Sequence, residues 1–135
     1  MVTTKSSPYS ILITDDDPGC REALQSIVEP EGFHTRLASS GEEALDIVRE
    51  EPIHLALLDM NMPTLSGLET LEMMQQIHTI PCIIVTADVS EWLMRQALRA
   101  HAFSVLAKPV SKNLVLYTVV RALMRAYGSS RDETP

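Results

Sequence analysis

The chain has 135 residues, of which 45% are hydrophobic and 21% are charged. This balance excludes a disordered or fibrous chain, and the length fits a single domain with one hydrophobic core. Eleven Lys and Arg residues against 18 Asp and Glu residues give a net charge of −7, which argues against direct nucleic acid binding by this domain.

Short apolar runs alternate with segments of helical periodicity from residue 10 onward. The apolar runs are rich in β-branched residues and have the length of buried strands, which predicts strands over 10–14, 34–38, 54–59, 81–86 and 103–107. The segments between them repeat apolar residues at helical spacing, which predicts helices over 18–29, 42–50, 66–77, 90–100 and 111–127. Asp17 and Ser66 are predicted N-caps, and Ser40 with Glu43 is a predicted capping box.

Five strands that alternate with five helices through short loops predict a doubly wound α/β fold with a parallel sheet covered on both faces. In such sheets ligands bind at the carboxyl ends of the strands. Six polar or charged side chains follow those ends, namely Asp15, Asp16, Asp17, Asp59, Thr86 and Lys108. We therefore expect the functional site at this edge of the sheet.

The residue types at this edge predict a site for a phosphoryl group. Asp15, Asp16 and Asp59 would repel one another without a cation, and a hard divalent ion such as Mg²⁺ removes that repulsion. Lys108 adds a positive charge suited to an oxygen-rich anion, and Thr86 adds a hydroxyl donor. Carboxylates, Mg²⁺, a hydroxyl and an ammonium together are typical of phosphoryl transfer.

Each residue also has a plainer explanation when taken alone. Asp17 is explained as a helix cap, Thr86 as an ordinary strand residue, and Lys108 as a solvated lysine before a helix. Asp59 is harder to explain in this way, because a carboxylate that ends a buried strand gains nothing from burial unless it is paired. The combination, rather than any single residue, carries the prediction.

Four motifs, in order, closely resemble the receiver domain of two-component response regulators over residues 10–127. They lie at 11–18, 57–67, 86–87 and 108–109. The resemblance implies a flavodoxin-like sheet with strand order 2-1-3-4-5. It also implies that Asp59 accepts a phosphoryl group from a sensor histidine kinase or phosphotransfer protein, and that the domain loses this group by self-dephosphorylation rather than acting as a turnover enzyme.

The resemblance implies a Mg²⁺ site at the matching positions. Asp16, the Asp59 carboxylate and the backbone carbonyl of Asn61 would bind the ion directly, and Asp15 would act mostly through a metal-bound water. Asn61 and Asp88 occupy the two positions that tune hydrolysis of the phospho-aspartate in the family.

Contacts to the phosphoryl group are implied in the same way. Thr86 and Lys108 would hold its oxygens, together with the backbone amides of Met60 and Ala87. The bond before Pro109 resembles the family's cis peptide, which would direct the lysine into the site.

The family's output is a population shift in which phosphorylation remodels the face of the fourth helix, fifth strand and fifth helix. Two departures bear on it. The aromatic residue expected three positions before the lysine is Val105, and we hypothesise that Phe103 replaces it from the same side of the strand. The glycine that usually closes the fourth helix is His101, where a left-handed cap would cost about 1 kcal/mol unless the loop differs.

The last predicted helix is apolar around most of its circumference. Only a narrow polar stripe of Thr118, Arg121 and Arg125 interrupts it. We expect a homodimer or effector contact on this helix and the preceding one, where Trp92 and Met94 are candidates for the same patch.

Two other functions remain open. A pseudo-receiver that serves only as an interaction scaffold is consistent with the changes at Val105 and His101. A haloacid-dehalogenase-like phosphohydrolase is loosely echoed by Asp15-x-Asp17, although Gly19 stands where that family expects Thr or Val. The intact set of carboxylates favours the phospho-acceptor.

The sequence at the two ends of the chain is polar and matches no targeting signal. Residues 1–9 form a polar leader without the apolar stretch of a signal peptide, and residues 128–135 form a polar tail or the start of a linker. No apolar run approaches the ~20 residues that a membrane span needs. With two cysteines and four histidines at no ligand spacing, we expect a cytoplasmic domain with reduced thiols and with histidines on the surface or in loops.

Overall fold

Strands and helices alternate along residues 7–128, the part of the chain that the computed structural model describes. The strands are β1 (Ser10–Thr14), β2 (His34–Ala38), β3 (Leu55–Asp59), β4 (Cys82–Thr86) and β5 (Ser104–Ala107). The helices are α1 (Pro18–Val28), α2 (Gly41–Glu50), α3 (Gly67–Gln75), α4 (Glu91–Arg99) and α5 (Lys112–Leu123). All strand pairs are parallel in the order β2-β1-β3-β4-β5, which confirms the predicted fold and strand order.

The central strands are buried on both faces, as their continuous apolar sequences predict. Successive residues alternate between two core clusters, so that Leu12 and Leu58 pack toward α2 and α3 while Ile13 and Leu57 pack toward α1 and α5. This double cover leaves only the two ends of the strands open to solvent. The carboxyl end is where every strand passes into a loop and then a helix.

Each helix begins with a side-chain cap just beyond that edge. The capping residues are Asp17, Ser40, Ser66, Ser90 and Ser111. Ser66 and Glu69 form a complete capping box. The predicted capping box at Ser40 and Glu43 is only half formed. The Glu43 N–H donates to Ser40 Oγ, but the Glu43 carboxylate accepts the Ser39 N–H at 2.7 Å rather than the Ser40 N–H.

Some boundaries differ from the prediction. The α-helical part of α5 ends at Leu123 and continues as a π-helical turn over Met124–Gly128, which brings the Tyr127 hydroxyl to the carbonyl of His54 at 2.7 Å. Thr118 was predicted on a polar stripe, but it is buried, because its hydroxyl donates to the Leu114 carbonyl at 2.7 Å and needs no water.

The described chain includes three residues of the predicted leader. The Ser7 N–H donates to the Gly32 carbonyl at 3.0 Å, which ties this segment to the turn before β2. The rest of the predicted leader and the polar tail, residues 1–6 and 129–135, lie outside the described residues. Within residues 7–128 no helix is long and apolar enough to cross a membrane.

Candidate functional site

Three carboxylates meet at the carboxyl edge of the sheet. Asp15 directly follows β1, and Asp59 is the last residue of β3, which is paired with β1. Asp15, Asp16 and Asp59 each bring a carboxylate oxygen within 4.8 Å of the others. Asp15 is 1% exposed and Asp59 is 5% exposed, whereas Asp16 faces solvent. The predicted acidic cluster therefore forms.

Lys108 bridges the two buried carboxylates. Its Nζ lies 3.0 Å from Asp15 Oδ2 and 3.0 Å from Asp59 Oδ1. Burial alone would lower the pKa of Lys108, but the hydrogen bonds to Asp59 and Asp15 raise it above its usual value. Burial raises the pKa of Asp59, repulsion from Asp15 and Asp16 adds to this, and the bond to Lys108 opposes it. One ammonium thus balances the negative charge only in part.

Asp15 is already held on both carboxylate oxygens. Its Oδ1 accepts the Asp17 N–H at 2.9 Å, and its Oδ2 accepts from Lys108. The Asp15 backbone carbonyl accepts a third bond, from Arg21 Nη1 at 2.7 Å. Asp16 and Asp59 are therefore the carboxylates better placed to bind a cation directly.

The donor set fits a hard divalent cation. It contains only oxygen ligands, and one exposed carboxylate leaves room for the waters that Mg²⁺ retains. Asn61 lies in the exposed loop that follows Asp59 at the end of β3. The ligand set implied by the resemblance, Asp16, Asp59 and the Asn61 carbonyl with Asp15 acting through a water, stays a prediction.

The ends of β4 and β5 complete this edge. Thr86 is fully buried, and its Oγ1 accepts the Asp88 N–H at 3.1 Å, while Ala87 and Asp88 are exposed. The Lys108 N–H donates to the Thr86 carbonyl at 2.8 Å, which joins the two strand ends. The Lys108–Pro109 peptide bond is cis.

Met60 differs from the other implied phosphoryl contacts. Its N–H donates to the Val85 carbonyl at 3.0 Å, so this bond would have to be shared for Met60 to contact a phosphoryl oxygen. Close packing explains why the motif has a glycine at position 67, which the sequence analysis did not explain. A Cβ at Gly67 would lie 2.5 Å from the Asp59 carbonyl oxygen, so only glycine lets α3 begin against the end of β3.

Two non-glycine residues among those described adopt left-handed backbone conformations, His101 before the start of β5 and Thr64 after the end of β3. His101 has φ 65°, so it forms the left-handed cap that was one of the two expected outcomes. Thr64, in the loop between β3 and α3, has φ 70° and was not anticipated. A β-branched residue rarely adopts this conformation, so Thr64 marks local strain.

The hypothesis that Phe103 replaces the missing aromatic residue is wrong. Val105 packs toward the α3 and α4 side of the sheet, whereas Phe103 packs toward the α1 and α5 side, where the Arg125 guanidinium carbon lies 6.0 Å from its ring centroid. The alternation argument fails because β5 begins at Ser104, after Phe103.

Trp92 and Met94, the predicted partners of the α5 patch, are both exposed on α4 but lie on different sides of that helix. Met94 lines a groove of about 380 Å³ between α4 and β5, together with Leu98 and Val105. Trp92 lies two residues away along the helix, which places it about 200° around the axis from Met94. Although Trp92 is 59% exposed, it faces away from that groove.

The opposite edge of the sheet holds an aromatic cluster that the sequence analysis missed, defined here as Tyr9, His54 and Tyr127. The Tyr9 and Tyr127 rings are stacked at 5.6 Å between centroids, and His54 meets both edge-on at 5.3 and 5.5 Å. His54 Nδ1 accepts the Ser10 N–H at 3.0 Å. His54 is thus a half-buried loop residue with specific partners.

Comparison with known proteins agrees with this geometry. The family model described as response regulator receiver domain matches residues 11–120. The response regulator RR06 of Streptococcus pneumoniae is 36% identical over 118 residues, which cover 87% of this chain and 54% of that protein. The transcriptional regulatory protein CpxR of Escherichia coli is 34% identical over 123 residues, covering 91% of this chain and 53% of that protein.

A solved structure gives the same match at the level of the fold. The CheY-like receiver domain protein from Methanospirillum hungatei superimposes with a TM-score of 0.84 at 30% identity, covering 88% of this chain and 96% of that one. The chain therefore spans nearly all of this solved structure but about half the length of the curated relatives it matches.

Proposed function

The chain belongs to the response regulator receiver domain family, and on this basis we propose that it is a phospho-acceptor module in which Asp59 takes a phosphoryl group from a sensor histidine kinase or phosphotransfer protein. The observation that carries the proposal is the bridge of Lys108 between two buried carboxylates beside the exposed Asp16. Such an arrangement costs stability unless the site also binds a cation, and the ammonium is then available to an oxygen-rich anion.

In the proposed transfer, an Asp59 carboxylate oxygen forms a bond to phosphorus while the phosphorus–nitrogen bond of the donor phosphohistidine breaks. The electron pair of that bond returns to the imidazole nitrogen. The ammonium of Lys108, 3.0 Å from the Asp59 carboxylate, would neutralise charge on the transferred oxygens. Thr86 Oγ1 accepts the Asp88 N–H, which leaves its own hydrogen for a phosphoryl oxygen. Bound Mg²⁺ would add electrostatic stabilisation of the same oxygens.

The domain would return to its resting state by hydrolysis of the acyl phosphate, without acting as a turnover enzyme. Asn61 and Asp88 are both exposed at this edge, which supports a role for them in controlling access of water. Ala87 would contribute its backbone amide to the phosphoryl contacts.

Phosphorylation would change the face formed by α4, β5 and α5. This face would then contact a second copy of the chain or an effector. Large apolar side chains on these helices support this proposal, since Leu98 is 74% exposed and Tyr117 is 61% exposed. Size exclusion with and without a phosphoryl analogue tests the dimer. A strict monomer in both states would contradict that version.

The two alternatives fare differently. The phosphohydrolase is wrong at the level of the family, and its candidate nucleophile Asp15 already accepts on both carboxylate oxygens. The phosphorylation-independent scaffold is favoured by one observation, the absence of an aromatic side chain at Val105. An intact acidic cluster would have no purpose in such a scaffold.

Intact-mass spectrometry after incubation with acetyl phosphate and Mg²⁺ separates the acceptor from the scaffold. We expect a single phosphoryl adduct on the natural chain that requires Mg²⁺ and is lost in Asp59→Asn. The matched control is Asp46→Asn, which removes an exposed carboxylate on α2 and should leave the adduct unchanged. No adduct on the natural chain, together with no response to beryllofluoride, would establish the scaffold.

A further inference from the structure

The connection between β1 and α1 is held by a network of hydrogen bonds that the proposed transfer does not use. The Asp17 N–H donates to Asp15 Oδ1 at 2.9 Å, and the Cys20 N–H donates to Asp17 Oδ2 at 3.2 Å. The Arg21 N–H donates to the Asp17 carbonyl at 3.0 Å, and Arg21 Nη1 donates to the Asp15 carbonyl at 2.7 Å. Asp16 lies between Asp15 and Asp17 in sequence, so the hydrogen bonds made by these two residues fix the backbone position of Asp16.

The side chain of Arg21 closes this network. The strand pairs of β1 end at Thr14, so the Asp15 carbonyl lies beyond the sheet ladder and needs another donor. A guanidinium supplies it with a short, charge-assisted bond. Arg21 therefore contacts the backbone of the acidic cluster rather than a carboxylate.

We propose that Arg21 is a positioning residue for the divalent cation, which holds the Asp15–Asp17 turn so that Asp16 faces Asp59. The inference rests on the proposed function, because it requires a cation at this edge. It goes beyond that function by giving a role to a residue that would touch neither the ion nor the phosphoryl group. Groups that orient metal ligands from behind typically change metal affinity by about 10- to 100-fold.

The charge of Arg21 acts in the opposite direction to its hydrogen bond. A positive charge close to a cation site weakens cation binding, so loss of the charge alone would strengthen Mg²⁺ binding by up to about fivefold. Loss of positioning would weaken it. The sign of the change therefore distinguishes the two roles of one side chain.

The test is a Mg²⁺ titration of the full chain, followed by the amide signals of Asp15–Asp17 in ¹H–¹⁵N correlation spectra. We expect Arg21→Met to bind Mg²⁺ about tenfold more weakly, and Arg21→Lys, which keeps one charged donor, to recover part of the loss. The control is Arg49→Met, which removes the same charge from the exposed surface of α2 and should match the natural chain.

Equal or tighter binding in Arg21→Met would overturn the inference and leave the metal site itself intact. Absence of Mg²⁺ binding in the natural chain would overturn the proposed metal site, and the inference with it. If the spectrum shows that Arg21→Met does not fold, Arg21→Lys decides. Weaker binding than in the natural chain supports positioning, and unchanged binding contradicts it.

Discussion

The two edges of the same sheet differ in the side chains that they bring together, which are charged at one edge and aromatic at the other. At the carboxyl edge, Asp15 and Asp59 are buried beside one another around a single ammonium. At the amino edge, Tyr9, His54 and Tyr127 pack ring against ring, and the Tyr127 hydroxyl donates to the His54 carbonyl. The first edge gathers like charges, whereas the second gathers aromatic rings, with hydrogen bonds from the Tyr127 hydroxyl and to His54 Nδ1.

The contrast indicates where this domain gives up stability for chemistry. Burial raises the pKa of Asp59, which means that the folded protein disfavours its ionised form. The aromatic cluster has no such conflict, because its hydrogen bonds join neutral groups. We therefore expect substitutions at the carboxyl edge to change phosphorylation as well as stability, and substitutions at the amino edge to change stability alone.

Removal of the Lys108 ammonium, which bridges Asp15 and Asp59, should have the largest effect. In Lys108→Met two buried carboxylates lose their partner, so we expect unfolding to become about 3 kcal/mol easier and phosphorylation by acetyl phosphate about 100-fold slower. Mg²⁺ should raise the melting temperature of the variant more than that of the natural chain, since the ion replaces the lost charge. Lys112→Met, an exposed substitution on α5, is the control, and equal effects of the two would refute the bridge.

Loss of the Tyr127 hydroxyl at the amino edge should lower the free energy of unfolding without changing phosphorylation. Tyr127→Phe removes the 2.7 Å bond to the His54 carbonyl, so we expect a loss of about 1 kcal/mol in chemical denaturation. Phosphorylation should be unchanged. Tyr117→Phe, whose ring is exposed, controls for loss of a hydroxyl as such, and a fall in phosphorylation rate in Tyr127→Phe would break the separation of the edges.

Neutralisation of Asp59, the proposed acceptor, should stabilise the metal-free protein. Because the pKa of Asp59 is raised on folding, its ionised form costs stability at neutral pH, and this cost disappears as the pH falls toward the unfolded-state pKa. We expect Asp59→Asn to gain up to about 1 kcal/mol at pH 7, with a gain that shrinks on acidification. Denaturation at several pH values without Mg²⁺ checks this, and a gain that grows in acid would contradict the assigned cause.

The smallest effect concerns the strained loop at the carboxyl edge. Thr64→Gly relieves a left-handed conformation at φ 70°, and we expect a gain of about 0.5 kcal/mol after the added freedom of the unfolded chain is subtracted. His101→Gly should gain less, because histidine tolerates this conformation better. A destabilised Thr64→Gly would show that its side chain makes a contact worth more than the strain.

The fold was predictable from sequence because its signals are local. Each strand is a short apolar run such as Leu55–Leu58, and each helix begins at a capping residue such as Ser66. The carboxyl edge was predictable for a related reason. Residues that follow parallel strands meet at one edge, so the order of strands brings Asp15, Asp59 and Lys108 together.

What escaped prediction depends on contacts between residues distant in sequence. Tyr9 and Tyr127 lie near opposite ends of the domain, and nothing local shows that their rings stack. The side on which Phe103 packs depends on a strand boundary shifted by one residue. Arg21 could have been found, since it lies in the first turns of α1 and can reach back to the Asp15 carbonyl, but only once that carbonyl is known to lack a strand partner.

The most direct test of the account is to locate the phosphoryl group. Borohydride reduction of the acyl phosphate, after treatment with acetyl phosphate and Mg²⁺, converts the modified aspartate to homoserine, which peptide sequencing by mass spectrometry identifies. We predict homoserine at Asp59 alone. Homoserine at Asp15, Asp16 or Asp17 would contradict the assignment of the acceptor and the division of roles within the acidic cluster.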